Sequence, residues 1–116
     1  MDAAAKQQLI RRIAWENGDS TDGAKILWSR HAITELVNED WERQAVEQGL
    51  QTCEVIEDYP HVHRRLPDCL VLGRLPSQES FHAVVALDQS QDRLLIVTVY
   101  SPSKTEWEDD QRTRRH

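Results

Sequence analysis

Residues 80–100 read Ser-Phe-His-Ala-Val-Val-Ala-Leu-Asp, then Gln-Ser-Gln, then Asp-Arg-Leu-Leu-Ile-Val-Thr-Val-Tyr, two apolar runs around a short polar stretch. Alternating runs of this kind on either side of a polar turn predict a β-hairpin. If Asp88 stands opposite Asp92, then His82 stands opposite Thr98 and Ser80 opposite Tyr100. All four then share one face, because side chains alternate along a strand. The other face carries Phe81, Ala83, Val85, Leu87, Leu95, Val97 and Val99 and is the expected core. A register shifted by one residue would mix the polar and apolar sets. The hairpin therefore supplies a core face and a candidate site face.

A chain of 116 residues is expected to be a single domain with a core of its own. Cys53 and Cys69 lack the close spacing of a zinc knuckle or a disulfide framework, which predicts free thiols and a reducing cytoplasm. The N-terminus has no signal-peptide pattern, and no run approaches the ~20 apolar residues needed to span a bilayer. A membrane partner is therefore not expected. The net charge of −6 is uneven: residues 1–60 carry 6 basic and 12 acidic side chains, and residues 61–116 carry 8 of each. An acidic total disfavours non-specific binding to a polyanion. Arg64, Arg65, Arg74, Arg93, Arg112, Arg114 and Arg115 still leave a local basic site available in the second half.

Residues 2–17 read as a helix with Leu9, Ile10, Ile13 and Ala14 on one side, ended by Gly18. A loop follows, and residues 25–28 form a short strand. Ser29 is a natural N-cap for a second helix with the stripe Ala32, Ile33, Leu36 and Val37. A third helix runs from Trp41 through Ala45 and Val46 to about Gly49. Residues 52–59 fit a strand or a helix, with the strand preferred. Residues 69–75 read as a strand in which Gly73 marks a bulge or a close backbone approach. After the hairpin, Ser103 and Glu106 have the form of a capping box opening a short final helix through Trp107, and residues 111–116 read as a basic, frayed tail. The expected fold class is α+β: two or three N-terminal helices on a three- to four-stranded antiparallel sheet, closed by a short C-terminal helix.

Several segments carry a resemblance. Ser29-Arg30-His31-Ala32, Val55-Ile56-Glu57-Asp58-Tyr59-Pro60, Cys69-Leu70-Val71-Leu72-Gly73, His82-Ala83-Val84-Val85 and Thr98-Val99-Tyr100-Ser101-Pro102, with Trp107 and Arg114 behind them, resemble the bacterial domain-of-unknown-function 4258 family. The likeness runs over residues 25–115 and leaves 1–24 outside. In layout that family is similar to small toxins of the RelE, ParE and MqsR type, which cleave RNA without a metal. The resemblance implies a toxin-like endoribonuclease with an RNA substrate, an antitoxin-like protein partner and no cofactor.

Metal-free RNA cleavage needs a base for the 2′-hydroxyl, an acid for the leaving 5′-oxygen and cations around the phosphorane. Histidine suits acid or base work near neutral pH, which selects His31 and His82, and Thr98 and Tyr100 can orient or donate. The guanidinium fork suits phosphate, and Arg30, Arg74 and Arg114 are the candidates. Each has a plainer reading: a half-buried sheet histidine bonded to Thr98 or Tyr100, a helix-linking His31, a packing Tyr100, a solvated arginine tail. His61 and His63 have a strand-like ligand spacing that Asp58, Cys69 or His82 would complete, the basis of a zinc-hydrolase alternative. A non-catalytic protein-interaction domain on the same scaffold is the other, and it predicts no pocket at His82. Trp15, Trp28, Trp41 and Trp107 are expected in the core or an interface.

Overall fold

The computed structural model describes residues 1–19, 24–59 and 65–115. Helix α1 (Ala3–Asp19) is followed by strand β1 (Ile26–Trp28), α2 (Arg30–Glu39), α3 (Arg43–Gly49) and a 3-10 turn (Leu50–Thr52). Four strands come next: β2 (Glu54–Asp58), β3 (Asp68–Arg74), β4 (Ser80–Asp88) and β5 (Arg93–Tyr100). They form one five-stranded sheet in the order β1-β5-β4-β3-β2. The class is α+β, but the sheet is mixed: β1 lies parallel to β5, with Ile26 opposite Leu94 and Trp28 opposite Ile96. The expectation of a purely antiparallel sheet of three or four strands is therefore corrected. A three-residue strand carries too little periodicity to announce which distant edge it joins.

The helices cover one face. Ile10, Ile13 and Ala14 of α1, Ala32 and Leu36 of α2 and Val46 of α3 pack with Val71, Phe81, Val85, Leu94, Ile96 and Val99 of the strands. Gly18 does not stop α1, which continues to Asp19. On α2 only the Ala32–Leu36 half of the expected stripe is buried, while Ile33 (39% exposed) and Val37 (74%) face outward. Gly73 needs no bulge. An added Cβ there would lie 2.3 Å from Phe81 Cζ, so the glycine makes room for the phenyl ring of the residue paired with it.

The hairpin register also differs from expectation, and the reason is local. Asp92 adopts φ 51° and ends a four-residue loop, its carboxylate drawn away to Arg12 and Lys25, each at 2.6 Å. Asp88 therefore pairs with Arg93. Near the loop this brings Leu94 and Ile96 to the core and turns Leu95 and Val97 to the opposite face. The register shifts again between Val84 and Val85, where Val97 is the extra residue of a bulge. Beyond it, Val99 returns to the core, Val84 faces Thr98 and His82 faces Tyr100.

Residues 103–115 form no helix. The Ser103 hydroxyl is engaged by the Thr105 amide and hydroxyl, a local turn that competes with a capping box. The chain then folds back so that Trp107 bridges to Arg114. This lap lies over the sheet face away from the helices, and Trp107 is 1% exposed.

Candidate functional site

Pairing defines the second face of the sheet. Glu54 is opposite Leu72, Leu72 opposite His82 and His82 opposite Tyr100. One step along, Glu57, Leu70, Val84 and Thr98 form the parallel row. All eight side chains share this face, including three of the four expected catalytic residues, His82, Thr98 and Tyr100.

The fourth, His31, is brought to its rim by Ser29. The Ser29 hydroxyl accepts from the Ala32 amide at 3.0 Å, capping α2, and donates to the Val97 carbonyl at 2.8 Å. One residue thus starts the helix and pins it to the β5 bulge. A turn further on, Glu35 Oε1 accepts from Thr98 Oγ1 at 2.5 Å and from the Val99 amide at 2.9 Å, and His31 Nε2 lies 3.3 Å from the same oxygen. The His31 side chain is 70% exposed and Glu35 only 20%. A carboxylate only accepts, so a proton shared between the two groups is one donated by Nε2. Arg30, next in the chain, is exposed.

His82 is differently placed. It is fully buried, its ring edge-to-face with Tyr100 at 5.5 Å and with Trp107 at 4.4 Å between centroids. Its Nε2 donates to the Gln111 carbonyl at 2.7 Å. The Nδ1 atom and the Trp107 indole nitrogen have no hydrogen-bond partner among the described residues. Burial holds the imidazole below its ordinary pKa, outweighing the Gln111 carbonyl and Glu57 carboxylate, which favour its charged form. His82 is thus a neutral donor. The expected pairings of His82 with Thr98 and of Ser80 with Tyr100 are both absent: Ser80 is opposite Arg74 and accepts from its Nη1 at 3.0 Å.

Arg114 is not a solvated tail residue. It binds Glu57 through Nε at 2.6 Å and Nη2 at 3.1 Å and lies 4.6 Å over the Trp107 ring. Arg112 Nε reaches Glu54 at 2.7 Å. Arg114 keeps Glu57 ionised well below the usual carboxylate range. Tyr59 donates to Glu57 at 3.2 Å, and its phenol is pushed up to about 12, first by burial and then by the Glu57 charge. The phosphate candidates are therefore dispersed. Arg114 is committed to Glu57, Arg74 to Ser80, and Arg30 alone adjoins His31.

His61, His63 and Arg64 lie outside the described residues. Of the side chains proposed to complete a metal set, Asp58 pairs with Lys6, Cys69 is buried in the core and His82 is occupied as described; among the described residues no group of three or more His, Cys, Asp or Glu converges. The sequence reading missed Glu35, Glu57 and the role of Trp107. His31 and Glu35 stand four apart on one helix, a visible signal; Glu57 has meaning only once the lap is in place.

No helix among the described residues is long and apolar enough to cross a membrane. No curated protein and no solved structure matches this chain. Residues 28–101, from the end of β1 to the end of β5, match the family described as domain of unknown function (DUF4258). That match covers most of the chain and contains His31, Glu35, His82, Thr98 and Tyr100, and the chain belongs to this family.

Proposed function

We propose that this protein is a toxin-like, metal-independent endoribonuclease whose working edge is the rim formed by α2 and β5. The observation that carries the reading is the accessible His31, its Nε2 3.3 Å from Glu35, which is itself fixed by Thr98 and the Val99 amide. An imidazole with one nitrogen on a carboxylate and the other facing solvent is arranged as a general base. His31 Nδ1 takes the 2′-hydroxyl proton, the 2′-oxygen forms its bond to phosphorus, and the 5′-oxygen leaves with a proton from Tyr100 or water. Glu35 stabilises the imidazolium, and Arg30 faces the phosphate. His82 supports this edge through Tyr100 and takes no proton itself.

The test is induced expression in bacteria of the wild type beside His31→Ala and Glu35→Gln, following growth and total-RNA integrity at equal soluble protein. Growth arrest with RNA cleavage by the wild type, lost in His31→Ala and reduced about 10²-fold or more in Glu35→Gln, is the expected result for an acid/base pair. Cleavage unchanged in His31→Ala overturns the site. The non-catalytic interaction reading is favoured by one specific observation: the surroundings of His82 are filled by Trp107 and Gln111. It expects intact RNA with every variant and stable co-purification of a protein partner.

A further inference from the structure

Residues 103–115 follow the family match, which ends at 101, yet they cover the sheet face that the match contributes. The lap presents Trp107 on one arm and Arg112 and Arg114 on the other. The sheet answers with His82 to the Gln111 carbonyl, Glu54 to Arg112 and Glu57 to Arg114. We propose that the β2–β4 end of this face is a peptide-binding surface for a hairpin segment bearing one tryptophan on one arm and an Arg-x-Arg pair on the other. Residues 103–115 are the chain's own copy of that ligand, bound in cis, and a protein partner carrying a segment of the same chemistry displaces it.

Two observations make the cis copy exchangeable. Its ion pairs reach water, with Arg112 and Glu54 at 45% and 43% exposure and Arg114 and Glu57 at 49% and 24%, so salt screens both, the singly bonded Arg112–Glu54 pair more than the two-pronged Arg114–Glu57 pair. Its buried part is imperfect, because His82 Nδ1 and the Trp107 indole nitrogen are sealed in without partners among the described residues, a defect that costs free energy. With Nε2 carrying the proton, Nδ1 is a lone pair. The surface therefore prefers a segment that brings an N–H or O–H donor to that atom.

The test uses the full chain and a fluorescent synthetic peptide of residues 102–115. In the wild type the tethered copy competes at an effective concentration on the order of millimolar, so binding read by anisotropy is expected to be weak. Arg114→Glu opens the latch in cis, and this chain is expected to bind the peptide at least about tenfold more tightly than the wild type does. Adding Glu57→Arg abolishes that binding, and a peptide carrying Arg114→Glu restores it. As a second measurement, hydrogen exchange of 103–115 in the unaltered protein is expected to quicken at 1 M salt (about a 3 Å Debye length) while that of β3–β5 does not. Equal peptide binding by wild type and Arg114→Glu, both folded by circular dichroism, overturns the proposal, as does salt-independent exchange of the lap. RNA integrity is a separate readout, so loss of the nuclease reading leaves these outcomes unaffected.

Discussion

His31 and His82 look alike in the sequence and are opposites in the fold. One ring is 70% exposed on a helix turn and the other is fully buried between Tyr100 and Trp107. Burial sets the pH behaviour of His82. Its folded pKa is depressed, so the unfolded chain accepts a proton that the folded chain resists. Stability is then full above the unfolded value of ~6.5 and falls as pH drops through it toward the folded value. We expect urea midpoints of the wild type to decline below about pH 6.5, and those of His82→Phe to decline less; parallel pH profiles for the two proteins would remove this role. The cysteines give a second residue-scale expectation. Cys53 and Cys69 are both free and buried in the core, and burial pushes each thiol up to about 12. Thiolate is the reactive form, so neither should react with Ellman's reagent at pH 8 until urea unfolds the protein; prompt native labelling would show that the core opens locally.

At the scale of elements, β3 and β4 are matched through one small-for-large exchange. Gly73 and Phe81 are paired, and the ring fills the place of a Cβ, lying 2.3 Å from where that atom would be. Gly73→Ala should therefore destabilise by about 1–3 kcal/mol, read by thermal or urea unfolding, and Phe81→Leu should recover part of that loss when combined with it. Additive losses would mean that the two positions are uncoupled. The same strands show what was legible in the sequence. The hairpin was plain from its alternation, and Ser29 as a cap and Ala32–Leu36 as a buried helix face followed from spacing alone. The pairing did not follow, because two small irregularities compensate. The four-residue loop ending at Asp92 shifts the register by one, and the bulge at Val97 shifts it by one more. Parity is thereby restored at Thr98 and Tyr100, so the polar face was expected correctly while Leu95 and Val97 were placed on the wrong side. Neither irregularity has a local signature. One depends on Arg12 and Lys25 drawing on Asp92, the other on Ser29 docking at the Val97 carbonyl. Tertiary partners of this kind also hid Glu57 and the lap.

For the whole molecule, the question is how the segments flanking the family match at 28–101 are joined to it. The C-terminal lap rests on one sheet face through exposed charges and one buried indole, whereas α1 is built into the core on the other. Ile10, Ile13 and Ala14 are essentially inaccessible. Gln7 accepts from the Val55 amide at 2.9 Å and Arg11 donates to the Cys53 carbonyl at 2.7 Å, so α1 also covers the outer edge of β2, an edge that would otherwise invite pairing with another chain. Lys6 is the deepest of these ties. It is 3% exposed, with its ammonium on the Asp58 carboxylate at the end of β2 and 2.8 Å from the Asp68 carbonyl at the start of β3. A buried cation is tolerable only with such partners, and hydrogen bonds to a charged group contribute about 1.5–3 kcal/mol. Asp58 is 38% exposed, and water relieves it when its partner is lost, so Lys6→Ala should cost an amount within that range. Because α1 shares the core, the loss should appear as a cooperative weakening of the whole domain and not as release of the helix. Unfolding of Lys6→Ala followed by far-ultraviolet circular dichroism and by tryptophan fluorescence should give coincident transitions at a lower midpoint. If the dichroism falls first, with fluorescence and the strand amides still native, then α1 is an appendage to the matched region and not part of its core.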